Sequence, residues 1–214
     1  MYTVFTMVDT VFFDFDGVLT LNPNGYTITP QNIQKMYPDL SEDFLVEQYL
    51  IFGKELQKGT KTHYDIWSEY CDRIGVEIDP SVLEKVFLDT PLNEEMVALA
   101  RVLRGREYQV GMITNNTWER LDTILKANSM ENDFDPLVVS ARVGSLKSDP
   151  DIFEHTLKSS DRSPDQCLFI DNQKKNLVVP RGMGMHTYLH DDQKNDMQAI
   201  REHLESMGIT VPSF

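Results

Sequence analysis

Apolar residues first gather at Val11, Phe12 and Phe13, a short run that predicts a buried strand. Leu21 to Pro30, with Asn22-Pro23-Asn24-Gly25 inside it, then reads as a turn-rich link. From there to about residue 90 the apolar positions recur at helical spacing. Ser41 can cap a segment carrying Phe44, Leu45, Tyr49, Phe52 and Leu56 that ends near Gly59. Thr62 and Asp65 have the spacing of a capping box ahead of Ile66, Trp67, Tyr70 and Ile74, with Gly75 as the stop. Asp79-Pro80 starts a shorter helix with Leu83, Val86 and Phe87. No strand pattern occurs in this block.

After Pro91 the texture changes to helices alternating with strands. Helical patterns begin at Asn93, around Leu121 and around Ile152, and strands are expected at Gln109–Thr114, Leu137–Ser140 and Cys167–Asp171. A last short strand near Thr187–Leu189 precedes a helix with Met197, Ile200 and Leu204. Such alternation predicts an α/β fold, a Rossmann-like parallel sheet with helices on both faces. The expected organisation is a core of residues 1–20 and 91–214, interrupted after its first strand by an all-helical cap of residues 21–90.

Composition narrows the partners. The 214 residues are 41% hydrophobic and 25% charged, ordinary values for a folded domain, but the net charge is −14. That charge argues against nucleic acid and anionic membrane as partners. No apolar run has the length of a membrane span, and the start lacks a signal-peptide pattern. The two cysteines, Cys71 and Cys167, stand far apart on a helix and an apolar strand, as small buried hydrophobes do. A reduced, cytoplasmic protein is the expectation.

Ligands of open parallel sheets gather beyond the carboxyl ends of the strands, so the residues there carry the chemistry. The first strand ends in Asp14-Phe15-Asp16-Gly17, two carboxylates on alternate residues followed by a turn-permitting glycine. The second ends in Thr114-Asn115-Asn116, the third leads through a loop to Lys147, and the fourth ends in Asp171-Asn172. Singly, each has a structural reading as a cap, a solvated lysine or a turn former. Together they set three acids, a lysine and hydroxyl and amide donors at one sheet edge. Phosphoryl transfer with Mg²⁺ needs that combination, because a hard cation relieves crowded carboxylates.

These same stretches resemble the four motifs of the haloacid dehalogenase-like (HAD) hydrolases. Asp14-Phe15-Asp16-Gly17-Val18-Leu19 is similar to the first motif and Ile113-Thr114-Asn115 to the second. The stretch from Ser140 to Pro150, with Lys147 and a serine at 148 where proline is usual, is similar to the third. Phe169-Ile170-Asp171-Asn172, with Asn176 and Gly182-Met183, is similar to the fourth. The resemblance implies a small-molecule phosphatase of the group whose helical cap follows the first motif. Asp14 would be the nucleophile and Asp16 the general acid and base. Thr114, Asn115 and Lys147 would bind the phosphoryl group, and Mg²⁺ would be held by Asp14, Asp171 and Asp16, the last through its backbone carbonyl.

Two departures from the family pattern stand out. Asn172 replaces the second acid of the fourth motif, which removes a negative charge near the metal and is expected to weaken its binding. Pro180 is expected to kink the helix that follows. Asp16 speaks against dehalogenation, which has no leaving oxygen to protonate. A phosphosugar mutase of the same family and a non-catalytic HAD-like binding protein remain as alternatives. The expected partner is a small phosphorylated metabolite, such as a sugar phosphate, with the chain a monomer or weak homodimer. Lys54, Lys58, Lys61 and His63 form a basic run between cap helices, better explained as a solvated helix end than as a substrate site.

Overall fold

The computed structural model describes residues 7–211; residues 1–6 and 212–214 of the expected core segments lie outside the described residues. Five strands form one sheet: β1 (Thr10–Phe13), β2 (Gln109–Thr114), β3 (Leu137–Val139), β4 (Cys167–Asp171) and β5 (His186–Leu189). The order is β3-β2-β1-β4-β5, and every pairing is parallel. β1 lies in the centre, with Phe13 level with Met112 on one side and Ile170 on the other. Its carboxyl end, and therefore Asp14, sits at the middle of the sheet edge.

Alternation along the strands divides the core in two. Val11, Phe13, Val110, Met112, Leu168 and Ile170 face one cluster, with α6 (Glu94–Arg104), α7 (Trp118–Ala127) and α11 (Met197–Ser206) packed upon it. Phe12, Ile113, Val138 and Phe169 face the other, against Ile152 and Phe153 of α9 (Pro150–Ser160). Each fully buried side chain of this size adds about 1.5–3 kcal/mol relative to exposure, so the sheet is anchored from both sides. This is the Rossmann-like α/β fold that the alternation predicts.

Between the first two strands the described chain is helical from Gly25 to Leu88. The helices are α1 (Gly25–Met36), α2 (Glu42–Leu50), α3 (Gly53–Gln57), α4 (His63–Ile74) and α5 (Val82–Leu88). The block is an excursion with joined ends. Thr20 pairs with Leu92 in an antiparallel bridge, flanked by hydrogen bonds from Leu21 N to Pro91 O (2.9 Å) and from Asn93 N to Leu19 O (2.9 Å). Its buried side chains, among them Leu45, Tyr70 and Phe87, are continuous with the sheet cluster on the α6 and α7 side.

Local chemistry sets several boundaries as expected. Thr62 and Asp65 form the capping box of α4, and Gly75 ends that helix in the left-handed conformation. Other boundaries differ. The expected link to Pro30 is already helix from Gly25, because the Asn24 side chain caps the Tyr26 N–H. Buried Ile28, Asn32 and Ile33 hold α1 in spite of Pro30 inside it. The helix expected from Ser41 to Gly59 is broken at Ile51-Phe52 into α2 and α3. After β4 the chain makes a short 3₁₀ helix, Lys174–Leu177, before α10 (Val178–Gly182), which tolerates Pro180 in its first turn. Ser140–Val143 (α8) completes the α-helices among the described residues. Among the described residues no helix is long and apolar enough to cross a membrane.

Candidate active site

Asp14 follows β1 with its N–H still bonded to Ile170 O at 2.9 Å, so the sheet fixes its backbone. Its Oδ1 accepts the Phe15 N–H and the Lys147 ammonium, both at 2.7 Å. Lys147 Nζ also donates to Asp171 Oδ2 at 2.7 Å. Asp171 ends β4, fully buried, and accepts further bonds from Gln173 N and Asn176 Nδ2. One ammonium therefore bridges two buried carboxylates. Burial pushes Asp14 up to about 8, against the pull of the Lys147 charge. Lys147 is itself held above its ordinary range: burial opposes the charge, and Asp14 and Asp171 outweigh it.

Asp16 takes another direction. Simple alternation would return its carboxylate to the side of Asp14, but the chain leaves the strand for a tight π-type turn at Phe15–Leu19. Gly17, at φ +78°, makes that turn possible. The Asp16 carboxylate meets Arg120 of α7, with Nη1 at 2.9 Å from Oδ2 and Nη2 at 2.8 Å from Oδ1. Asn116 Nδ2 adds a third bond at 3.0 Å. Gly25 packs against the same oxygen; a Cβ there would run into Asp16 Oδ2.

A cavity of about 220 Å³ opens over these groups. The core lines it with Asp14, Asp16, Thr114, Asn115 and Lys147, and the helical block lines it with Tyr26 of α1 and Gln57 of α3. Asn115 Oδ1 accepts the Lys147 N–H at 3.0 Å, which ties the second strand end to the third loop. The Tyr26 hydroxyl is buried and has no hydrogen-bond partner among the described residues. The structure thus brings together Asp14, Asp16, Thr114, Asn115 and Lys147 around one cavity, with Asp171 behind them on the Lys147 bridge.

The donor set suits a hard cation. Asp14 and Asp171 share one positive charge, and among the described residues no hydrogen bond falls on Asp14 Oδ2. A cation against Asp14 Oδ2 would favour the ionised form of Asp14 and meet a carboxylate oxygen, the ligand type Mg²⁺ prefers. Among the described residues no cluster of three or more His, Cys, Asp or Glu side chains has metal-binding geometry. The Asp16 side chain, committed to Arg120 and Asn116, does not complete one.

The basic run does not reach the cavity. Lys61 pairs with Glu55 at 3.1 Å, Lys58 approaches Asp149 at 3.9 Å, and Lys54 is exposed. His63 is 1% exposed and bonds to Glu119 and Tyr49. Asn172, expected to modulate the metal, donates to Pro23 O (3.1 Å) and Asp192 Oδ2 (2.7 Å). Its amide joins the end of β4 to the start of the link, a task no carboxylate could perform. Sequence reasoning missed Arg120, Tyr26 and Gln57, and it placed Asn116 among the amide donors of the second strand end without foreseeing its bond to Asp16. A signal existed for Arg120: it lies in the first turn of α7, where a helix disfavours a cation unless an anion waits beside it.

Fold and site together define a Rossmann-like α/β protein with carboxylates gathered at the edge of its parallel sheet. The sequence matches the family model for haloacid dehalogenase-like hydrolase over residues 8–177, and the chain belongs to that family. It is 30% identical over 222 residues to bifunctional epoxide hydrolase 2 of Rattus norvegicus, covering 94% of the chain but 39% of that protein. The chain thus spans about two fifths of the length of that relative. It is 23% identical over 192 residues to a D-ribitol-5-phosphate phosphatase of Bacteroides thetaiotaomicron, covering 85% of the chain and 91% of the relative. The fold superposes with a TM-score of 0.74 and 18% identity on a HAD family enzyme of Bacteroides thetaiotaomicron crystallised with magnesium and inorganic phosphate. That match covers 91% of the chain and 100% of the neighbour.

Proposed function

We propose that this chain is a Mg²⁺-dependent phosphatase that hydrolyses a small phosphorylated metabolite through an aspartyl-phosphate on Asp14. The observation that carries the reading is the Lys147 ammonium held between Asp14 and Asp171 beside a cavity of about 220 Å³. A carboxylate is a poor nucleophile toward a phosphate dianion until positive charge neutralises both, and Lys147 is already in contact with the attacking group. The phosphatase name of one relative and the magnesium and phosphate bound by a structural neighbour support it.

In the first step an Asp14 oxygen bonds to phosphorus as the ester P–O bond breaks, and Asp16 gives a proton to the leaving oxygen. In the second, water attacks the phosphorus of the aspartyl-phosphate and Asp16 takes its proton, which releases phosphate and restores Asp14. Thr114 and Asn115 donate hydrogen bonds to phosphoryl oxygens. Asp14, Asp171 and the backbone carbonyl of Asp16 would hold Mg²⁺, which supplies Lewis-acid neutralisation of phosphate charge when bound. Residues 21–90 act as the cap over a core of residues 1–20 and 91–214. Its Tyr26 and Gln57 meet the alcohol portion of the ester, so the cap selects substrate while the sheet supplies the chemistry.

The test is phosphate release from phosphorylated sugars, polyols and nucleosides, with Mg²⁺ or with EDTA. Release is expected with Mg²⁺ alone, and Asp14→Asn is expected to lower it at least about a thousandfold with the fold retained. Near-wild-type turnover by Asp14→Asn would sink the covalent route.

A further inference from the structure

Arg120 is an expensive residue to keep where it is. It is 2% exposed, and it occupies the first turn of α7, where the helix dipole opposes a cation. Among the described residues its buried Nε–H has no hydrogen-bond partner, which is itself a cost. Buried ion pairs of this kind add little net stability over an apolar pair of the same size. What the arrangement delivers is geometry. The guanidinium presents its planar fork to both oxygens of Asp16 and bonds a third time to Asn116 Oδ1 at 3.1 Å. Asn116 in turn donates to Asp16 Oδ2. The guanidinium carbon lies 5.8 Å from the centre of the Phe15 ring.

The acceptor positions of Asp16 are then nearly used up. A carboxylate offers about four lone-pair sites. Oδ2 accepts from Arg120 Nη1 and from Asn116, and Gly25 closes over it. Among the described residues Oδ1 accepts from Arg120 Nη2 alone. We infer that Arg120, with Asn116, is the positioning residue for proton transfer: it fixes the Asp16 carboxylate so that Oδ1 alone keeps a lone pair for the cavity. This rests on the acid and base role proposed for Asp16. Oδ1 is then the atom that gives its proton to the leaving oxygen and later takes one from water. Arg120 acts through Asp16 and does not touch the ester.

Two esters of nearly the same shape separate this role from a structural one. 4-Nitrophenyl phosphate releases a phenolate that leaves without a proton, whereas phenyl phosphate releases one that benefits from protonation. Values of kcat/KM report the steps up to the aspartyl-phosphate. Arg120→Lys keeps the charge and removes the fork. It is expected to lower kcat/KM roughly tenfold or more on phenyl phosphate and less than about threefold on 4-nitrophenyl phosphate. Within an Asp16→Asn background the same change is expected to have no selective effect. Equal losses on both esters, or a selective loss that persists in full in the double variant, would overturn the inference. Asp16→Asn alone treating both esters alike would instead overturn the acid and base role of Asp16, and that is read from the single variant. Should Arg120→Lys not fold, Asn116→Ser removes the second donor from Oδ2. A selective loss on phenyl phosphate then supports the inference, and equal losses overturn it.

Discussion

Glu119 holds His63 twice with a single oxygen. Its Oε1 accepts the His63 backbone N–H at 2.7 Å and lies 2.6 Å from Nδ1 of the same residue. His63 opens α4 and Glu119 lies in the first turn of α7, so this pair stitches the helical block to a helix of the sheet layer. With Nδ1 donating to Glu119, Nε2 of a neutral imidazole accepts from the Tyr49 hydroxyl at 2.5 Å.

Acid is expected to loosen that seam. Burial lowers the His63 pKa from its ordinary 6.5, more than Glu119 raises it. The unfolded chain therefore takes up a proton at pH values where folded His63 does not. The stability contributed by the neutral ring is complete above 6.5 and is lost as the pH falls below it. Melting temperature measured from about pH 7.5 to 5.5 should fall more steeply for wild type than for His63→Asn, which keeps a donor near Glu119 but does not titrate. Parallel curves would show that His63 does not set the acid response.

Lys147→Met is expected to cost stability as well as activity. Removing one partner of a buried ion pair leaves uncompensated charge, here the Asp171 carboxylate beside a largely protonated Asp14, at about 3–5 kcal/mol. Urea unfolding of the variant would show the loss, and adding Asp171→Asn in the same chain should recover part of it. An unchanged unfolding midpoint for Lys147→Met would contradict the bridging role.

Asn172→Asp is expected to harm the protein without improving metal use. The variant loses the donor to Pro23 O and sets a carboxylate against Asp192, a penalty of about 1–3 kcal/mol. Its melting temperature should drop near pH 7, and the Mg²⁺ concentration for half-maximal phosphate release should not fall. A lower Mg²⁺ requirement with full stability would restore the view that this position acts on the metal.

Gln57, rather than the neighbouring lysines, is expected to discriminate among esters. Gln57 lines the cavity, whereas Lys54 is exposed and Lys61 is paired with Glu55. Gln57→Ala should change KM several-fold among sugar and polyol phosphates, by about 1 kcal/mol of lost hydrogen bonding, and leave 4-nitrophenyl phosphate nearly unaffected. Lys54→Ala should leave every ester unchanged. Uniform losses from Gln57→Ala would assign it to folding.

The strands were legible because strands buried on both faces are unbroken apolar runs, and β2 and β4 begin and end where the pattern does. Asp14, Thr114 and Asp171 stood out for a related reason: polarity appears where the apolar run stops. Alternation failed at Asp16, since past Phe13 the chain is a turn and the period of two no longer applies. α1 was hidden by Pro30, whose helix-breaking tendency is outweighed by packing of Ile28 and Ile33. Gln57 and Tyr26 were invisible for a deeper reason. Helical periodicity says which side of a helix is polar, and only the tertiary arrangement says what that side meets.

The bridge from Thr20 to Leu92 makes the helical block a detour whose exit lies beside its entrance. Because the ends meet at a fixed pair of hydrogen bonds, the length between them is nearly free: doubling a loop adds only about 0.6 kcal/mol of closure entropy. Changes of length between those ends therefore leave the strand register around Asp14 in place, provided the new chain covers the sheet cluster that Leu45, Tyr70 and Phe87 now pack against. On the proposed function, what is recognised and how it is attacked are thus separable at one junction, which makes it the natural place to graft one block onto another core.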